Sequence, residues 1–411
     1  MPEKTLAPHL FMDLTRSLCP VCRRVVDAQV QARDSKVILR KRCPEHGPSE
    51  ALLSSDLSWY LHAMRYNRPG LLPGARGTEA RDGCPYDCGL CPEHQQHTCL
   101  AIIEVNHPQI SEILAAVRRR PVRYVMLNTN GLRLARDDEF VRRLADLGVY
   151  IYLQFDGLES RTHLALRGVD LRREKQEALD RLARHGVQAV LAATVVKGIN
   201  DHEIGAIVRF GLEHPAVRGV AFQPVFLEGR HVPSDPLDRM TVPDVLCAIE
   251  AQSGGLFTRQ DFTPVPCCHP TCMAMCYAYV ENGTVTPLAR IVDVDAYLDY
   301  FVNRALPDVD LGVRKALEGL LSAGSVGGSE KQILNFCAAC GLQLPGDLRN
   351  LVDRIFMINV TGFMDVHTFE VRRVMKCCIH ELLPDGRLVP FCAYNTIGYR
   401  EQVLHDLTAH R

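Results

Sequence analysis

From residue 100 to residue 230 short apolar runs alternate with longer amphipathic stretches. CLAIIEV (99–105) has the pattern of a buried strand. In HPQISEILAAVRRR, Ile110, Ile113, Leu114 and Val117 recur at helical spacing and share one face. Tyr124–Leu127 reads as a strand that ends in the turn Asn128-Thr129-Asn130-Gly131. A helix is expected over about Asp137–Leu147, a strand over VYIYLQFDG (149–157) and a helix over Leu171–His185. VQAVLAATVV (187–196) is a strand, Asp201–Glu213 a helix and GVAFQPV (219–225) a fifth strand. Such alternation implies an α/β fold with a parallel sheet or barrel. Ligands then bind at the C-terminal strand ends, which carry Glu104, Asn128, Gln154, Asp156, Thr194, Asn200 and Gln223. Asn130 and Asn200 suit turn roles equally well.

The flanking regions differ. Between residues 25 and 43 apolar and polar positions alternate about a turn at Asp34-Ser35, which reads as a hairpin. Residues 67–83 are rich in Gly, Pro and charge and read as a linker. Beyond residue 236 the pattern is less regular and mostly helical. Four segments follow: a Cys-rich unit at 1–66, a linker and cysteine loop at 67–99, the alternating region at 100–235 and an extension at 236–411.

Composition narrows the chemistry. The formal net charge is −1 over 411 residues. That balance, without a basic stripe, argues against a nucleic-acid partner. No stretch approaches the roughly 20 apolar residues of a transmembrane segment. MPEKTLAPHLFMDL has neither a long apolar core nor a cleavage site. Seventeen cysteines without export then read as metal chemistry in a reducing cytoplasm, and the expected location is cytoplasmic.

The cysteines fall in groups. Cys84, Cys88 and Cys91 form a C-x3-C-x2-C triad, a spacing that suits three corners of a [4Fe-4S] cluster. Cys99 either closes that cluster or stands spare. Cys19, Cys22, Cys43 and His46 supply four donors for one tetrahedral zinc or iron, in the plan of a zinc ribbon or rubredoxin. Cys267, Cys268 and Cys272, with Cys276 nearby, form one C-terminal group, and Cys377, Cys378 and Cys392 another. The two C-terminal groups together suit an auxiliary cluster. Cys337 and Cys340 are either helix-packing thiols or a redox pair. Cys247 reads as plain core.

The phrases CPYDCGLCPEHQQHTCLAIIEV, VMLNTNG, VYIYLQFDG, DFTPVPCCHP and PDGRLVPFCAYNTIGYR together resemble one family. It is the radical S-adenosylmethionine (SAM) group that contains archaeal tetraether lipid synthases and dihydropterin methyltransferase-like proteins. The resemblance implies a partial (β/α) barrel, several [4Fe-4S] clusters and bound S-adenosylmethionine, whose reductive cleavage gives a 5′-deoxyadenosyl radical that attacks an inert carbon. Gln154, Asp156, Thr194, Asn200 and Gln223 would line the barrel mouth around the cofactor. The substrate would be a lipid or a pterin-like small molecule, and the reductant a ferredoxin or flavodoxin.

One departure stands out. In the family, the strand like CLAIIEV runs into a second cysteine triad, and a later strand ends in a Gly-Gly-Glu-Pro turn. Here Val105-Asn106 passes directly to His107-Pro108. About one βα unit is missing, which leaves a shortened barrel of about five strands. Either Cys84, Cys88 and Cys91 take over S-adenosylmethionine cleavage, or they bind an auxiliary cluster and the chain is an iron–sulfur scaffold or electron carrier.

Overall fold

A computed structural model describes residues 9–104, 107–122, 124–227, 235–281, 283–290 and 354–409. Cys337 and Cys340 lie outside these residues.

The N-terminal unit is an antiparallel meander of β1 (Leu10–Leu18), β2 (Val25–Arg33), β3 (Lys36–Cys43) and β4 (Gly47–Ser54). The expected hairpin is present as β2–β3. Asp34 and Ser35 take φ of 51° and 58°, the left-handed pair that a tight two-residue hairpin turn requires. Alternation in β2 and β3 sends Ala28, Val30, Val37 and Leu39 to one face, where Tyr60 of helix Leu57–Met64 covers them. Asp56 caps that helix by accepting from the Trp59 amide at 3.0 Å. The buried Lys41 ammonium ties the unit to the C-terminal part. It donates to Ser17 Oγ at 3.1 Å, the Val366 carbonyl at 2.8 Å and the His367 carbonyl at 2.9 Å.

Beyond β5 (Leu100–Ile102) comes the main sheet. Its strands are β6 (Met126–Thr129), β7 (Tyr150–Gln154), β8 (Ala189–Val195), β9 (Val217–Pro224), β10 (Thr263–Pro264), β11 (Met273–Glu281), β12 (Thr284–Pro287) and β13 (Ile355–Thr361). The order is β10-β11-β13-β9-β8-β7-β6, and β12 pairs with β11. Strands β6 to β9 and β13 run parallel, and β11 is antiparallel to β13. The period of two assigns the faces. Leu191, Ala193, Val220, Phe222 and Ile358 meet the helices Asp138–Asp146, Arg172–Arg184, Ile204–Glu213 and Val242–Gln252. Val190, Ala221, Met275, Tyr277 and Met357 form a second apolar layer on the opposite face.

Two expectations need correction. CLAIIEV does not open the main sheet. Its strand β5 pairs in parallel with β14 (Ile379–Leu382), which pairs with β15 (Leu388–Pro390), as a separate three-stranded sheet. Nor is it the buried strand expected: Ala101 and Ile103 are exposed, and the pairing partner is nearly 280 residues away. Among its described residues the extension is mixed, not mostly helical: strands β10 to β15 stand beside the helices Val242–Gln252, Val371–Met375, Phe391–Ile397 and Tyr399–Ala409. The fifth parallel strand is therefore β13. Helix Ser160–Arg167, absent from the sequence reading, follows β7 directly. The other helices of the alternating region fall within one to three residues of their expected ends.

Candidate metal centres

Among the described residues every cysteine is a free thiol. In the N-terminal unit, Cys19 and Cys22 lie in the β1–β2 turn, and Cys43 and His46 in the β3–β4 turn. Their four donor atoms lie within 4.8 Å of one another. Cys19 Sγ is 3.6 Å and Cys43 Sγ 3.4 Å from His46 Nδ1, and Cys22 Sγ is 3.9 Å from Cys43 Sγ. A tetrahedral zinc with Zn–S of about 2.3 Å and Zn–N of about 2.0 Å has edges of about 3.5–3.8 Å, so the donor set fits one ion. Arg24 hydrogen-bonds the Cys22 thiol and pulls its pKa down, which favours the thiolate that binds metal.

Cys84, Cys88 and Cys91 are buried, but they are not among the donor groups that converge to single-ion spacing. Instead they line a small pocket, of about 10 Å³, with Gly89, Leu90, His94, Met375 and Pro390. The loop is built to hold its shape. Asp87 accepts from the amides of Arg81, Asp82 and Gly83 at 2.7–2.8 Å, and Glu93 accepts from the Cys84 amide at 2.9 Å. The Tyr399 hydroxyl accepts from the Cys88 amide at 3.1 Å and donates to the Pro85 carbonyl at 3.0 Å. Gly77 has no room for a side chain, because a Cβ there would lie 2.4 Å from the Gly89 carbonyl oxygen. Three buried thiols that line one pocket without closing to single-ion spacing suit a polynuclear cluster better than one ion.

Cys99 does not join that triad. Its thiol converges with Cys267 and Cys378 to within 4.8 Å, and Cys267 Sγ is 3.8 Å from Cys378 Sγ. Cys268 is hydrogen-bonded to Cys267, Cys272 and Cys378. Five thiols thus gather against the sheet layer of Val190, Ala221, Met357 and Tyr277. Cys272 is the acidic member, pulled down to about 6 by its hydrogen bond from Cys268 and by the Arg373 guanidinium, whose Nη2 lies 3.1 Å away. Cys377 turns away and bonds the Ile379 carbonyl at 3.1 Å, while Cys392 accepts from the Met364 amide at 3.3 Å. Cys276 points to the helix side of the sheet, as the alternation of β11 dictates. Cys247 is exposed, not core.

Both thiol groups hang on two adjacent segments, 91–99 and 375–378. The Gln95 amide donates to the Met375 carbonyl at 2.7 Å, and the Cys99 amide to the Cys378 carbonyl at 2.9 Å. His94 Nε2 meets the Cys377 carbonyl at 2.9 Å and His380 Nε2 at 3.1 Å. Sequence reading passed over His94, although its place in Cys91-Pro-Glu-His94 was a usable signal.

Gln154, Thr194 and Gln223 lie at the C-terminal ends of β7, β8 and β9. Gln223 Nε2 donates to the Tyr152 hydroxyl at 2.8 Å. Asp156 and Asn200 are absorbed by the frame. Asp156 takes φ 66° and accepts a two-pronged pair from Arg167 at 2.7 and 2.9 Å. Asn200 donates to the Asp156 and Thr194 carbonyls at 2.8 and 2.7 Å and accepts from the Val196 amide at 2.8 Å. Glu104 takes the Tyr394 hydroxyl at 3.1 Å and pairs with Arg400. Glu159, His202 and Glu203 also converge. Arg161 already binds the first two, and Glu203 holds the Leu158 and Glu159 amides.

Comparison with known proteins places two regions of the chain. The HMPTM N-terminal zinc ribbon domain matches residues 11–55, and the radical SAM superfamily matches residues 96–211. A 7,8-dihydro-6-hydroxymethylpterin dimethyltransferase from Methanocaldococcus jannaschii is 30% identical over 479 aligned positions, covering 94% of each chain. That alignment is longer than the 411-residue chain, so the relative has stretches with no counterpart here. A GTP 3′,8-cyclase from Klebsiella pneumoniae subsp. pneumoniae is 35% identical over 97 residues, 23% of this chain and 29% of its own. A radical SAM methyltransferase structure from Sphaerobacter thermophilus is matched over 60% of this chain and 75% of that one, at 12% identity and a TM-score of 0.28. No helix among the described residues is long and apolar enough to cross a membrane. A relative at this identity over nearly the whole length decides the matter: the chain belongs to the radical SAM superfamily, in the family of the dihydropterin dimethyltransferase.

Proposed function

We propose that the chain is an iron–sulfur electron-transfer protein built on a radical SAM frame, with a small heterocycle as the ligand of its sheet. Cys84, Cys88 and Cys91 would hold one [4Fe-4S] cluster. Cys99, Cys267 and Cys378, with Cys268 or Cys272, would hold a second, and the N-terminal Cys3His set a zinc. The carrying observation is the gathering of five thiols on the side of the sheet opposite the helices. In this reading that side is the interior of a shortened partial barrel. The clusters would supply low-potential electrons drawn from a ferredoxin or flavodoxin.

The chain's own groups would bind the ligand. Burial holds the Tyr152 phenol neutral, with its pKa pushed well up. Because Gln223 Nε2 already donates to that hydroxyl, the Tyr152 proton and the Gln223 carbonyl are left for a ring edge with both acceptor and donor atoms. A dihydropterin has such an edge, and the Methanocaldococcus relative is named for one. The residues do not fit the family's S-adenosylmethionine site, since the sequence holds one C-x3-C-x2-C triad and no Gly-Gly-Glu-Pro turn.

The test is anaerobic purification with iron and sulfide analysis, then incubation with dithionite and S-adenosylmethionine. Cys88→Ala is expected to remove about one cluster's iron, and 5′-deoxyadenosine is expected at or near background. A second reading, an active radical methyltransferase using the 84–91 triad, is favoured by the C-x3-C-x2-C spacing. It requires multiple turnovers that vanish in Cys84→Ala.

A further inference from the structure

The tetrapeptide Cys-Pro-Glu-His occurs twice, at 43–46 and 91–94. Both copies fold into the same knuckle. The Cys43 thiol accepts from the Glu45 and His46 amides, and the Cys91 thiol from the Glu93 and His94 amides. In the first copy the histidine turns Nδ1 toward the thiols, 3.4 Å from Cys43 and 3.6 Å from Cys19. In the second, His94 is buried and lines the cavity of Cys84, Cys88 and Cys91.

We propose that His94 is the fourth ligand of the cluster held by Cys84, Cys88 and Cys91, bound through Nδ1. Its other nitrogen, Nε2, is held by the Cys377 carbonyl at 2.9 Å. Ligating histidines are oriented in this way, donating the second ring N–H to a carbonyl, which leaves the remaining nitrogen with its lone pair free. Among the described residues Nδ1 has no hydrogen bond. Cys99, the alternative fourth ligand, is engaged with Cys267 and Cys378. Arg76 bridges the Cys91 and His94 carbonyls at 2.9 and 2.8 Å and fixes the knuckle. The inference rests on the reading that this triad holds a cluster. It closes the iron that would otherwise be open to S-adenosylmethionine. An imidazole in place of a thiolate also raises the cluster potential, as histidine does in Rieske centres.

The experiment is electron–nuclear double resonance on the dithionite-reduced full chain, with natural and 15N-labelled histidine. An isotope-sensitive histidine coupling is expected. It should disappear in His94→Cys and persist in His97→Gln, which alters the imidazole 3.6 Å from Cys99. His94→Cys should keep its iron and sulfide and show a lower midpoint potential. Absence of any histidine coupling, its loss in His97→Gln, or coupling to 15N-methionine-labelled S-adenosylmethionine overturns the His94 assignment while the cluster stands. Iron content indifferent to Cys88→Ala overturns the cluster, and the ligand with it.

Discussion

Asp365 illustrates how much one side chain can organise. It is fully buried, and Arg239 Nη1 donates to it at 2.6 Å. The amides of Leu227, His367 and Thr368 add bonds at 2.9–3.0 Å. Burial alone would raise its pKa, but Arg239 and the amide donors hold it below the usual carboxylate range. Its contribution to stability is therefore complete above that range and is lost as pH falls through the depressed value. Removing one partner of a buried pair strands the other charge. Arg239→Ala is expected to cost about 3–5 kcal/mol in urea unfolding, and the double change Arg239→Met with Asp365→Leu much less. A double variant as damaging as the single would refute this account. None of this was legible in the sequence, because the partners lie 126 residues apart. Asp156 shows the same limit at shorter range. Its position after β7 marked it as a ligand contact, but the guanidinium that occupies it comes from Arg167, on a helix the pattern did not announce.

At the scale of elements, the helices were legible from their one buried face and the central parallel strands β8 and β9 from their continuous apolar runs, buried on both faces. The pattern did less well with short apolar runs such as β5, which reads as a buried strand but is an edge strand with Ala101 exposed. The β5–β14–β15 sheet that results has a buried carboxylate, Glu381, pushed up to about 7 by burial and by Glu104 nearby. A raised folded-state pKa favours the protonated form. The stability it contributes is present below the ordinary glutamate range and is lost as pH rises through about 7. Between pH 5 and pH 8 the loss should be about 1–2 kcal/mol after allowing for partial solvent screening. Glu381→Gln is expected to flatten the unfolding profile across that interval, and an unchanged slope would count against burial as the cause. The ribbon makes an independent prediction. Apart from the exposed Arg24–Glu45 ion pair, its two turns meet through the metal donors, so metal supplies folding energy there. Cys43→Ala should remove one zinc per chain and lower the first thermal transition. Full zinc content in that variant would exclude the Cys3His set.

At the scale of the whole molecule, cysteine spacing disclosed the ribbon and the 84–91 triad, since each is local. The second thiol group was legible only in part. Sequence grouping put Cys377 and Cys392 beside Cys378, whereas the Cys377 thiol bonds the Ile379 carbonyl and the β5–β14 pairing brings in Cys99 from nearly 280 residues earlier in the chain. The two placements predict different iron losses: Cys99→Ala should lower iron and sulfide, and Cys392→Ala should leave them nearly unchanged. Equal losses would restore the grouping read from sequence. The clasp between residues 91–99 and 375–378 also dictates an order of manufacture. The zinc donors all emerge within the first fifty residues, so that site is complete while most of the chain is still being made. On the proposed reading the thiol group of Cys99, Cys267 and Cys378 cannot be complete until residue 378 leaves the ribosome, whereas Cys84, Cys88, Cys91 and His94 wait only for the Met375 and Pro390 wall. Filling of the Cys99 group would then be a post-translational event on a nearly finished fold, and a chain stopped at residue 370 is expected to carry zinc but to lose the iron assigned to Cys99, Cys267 and Cys378.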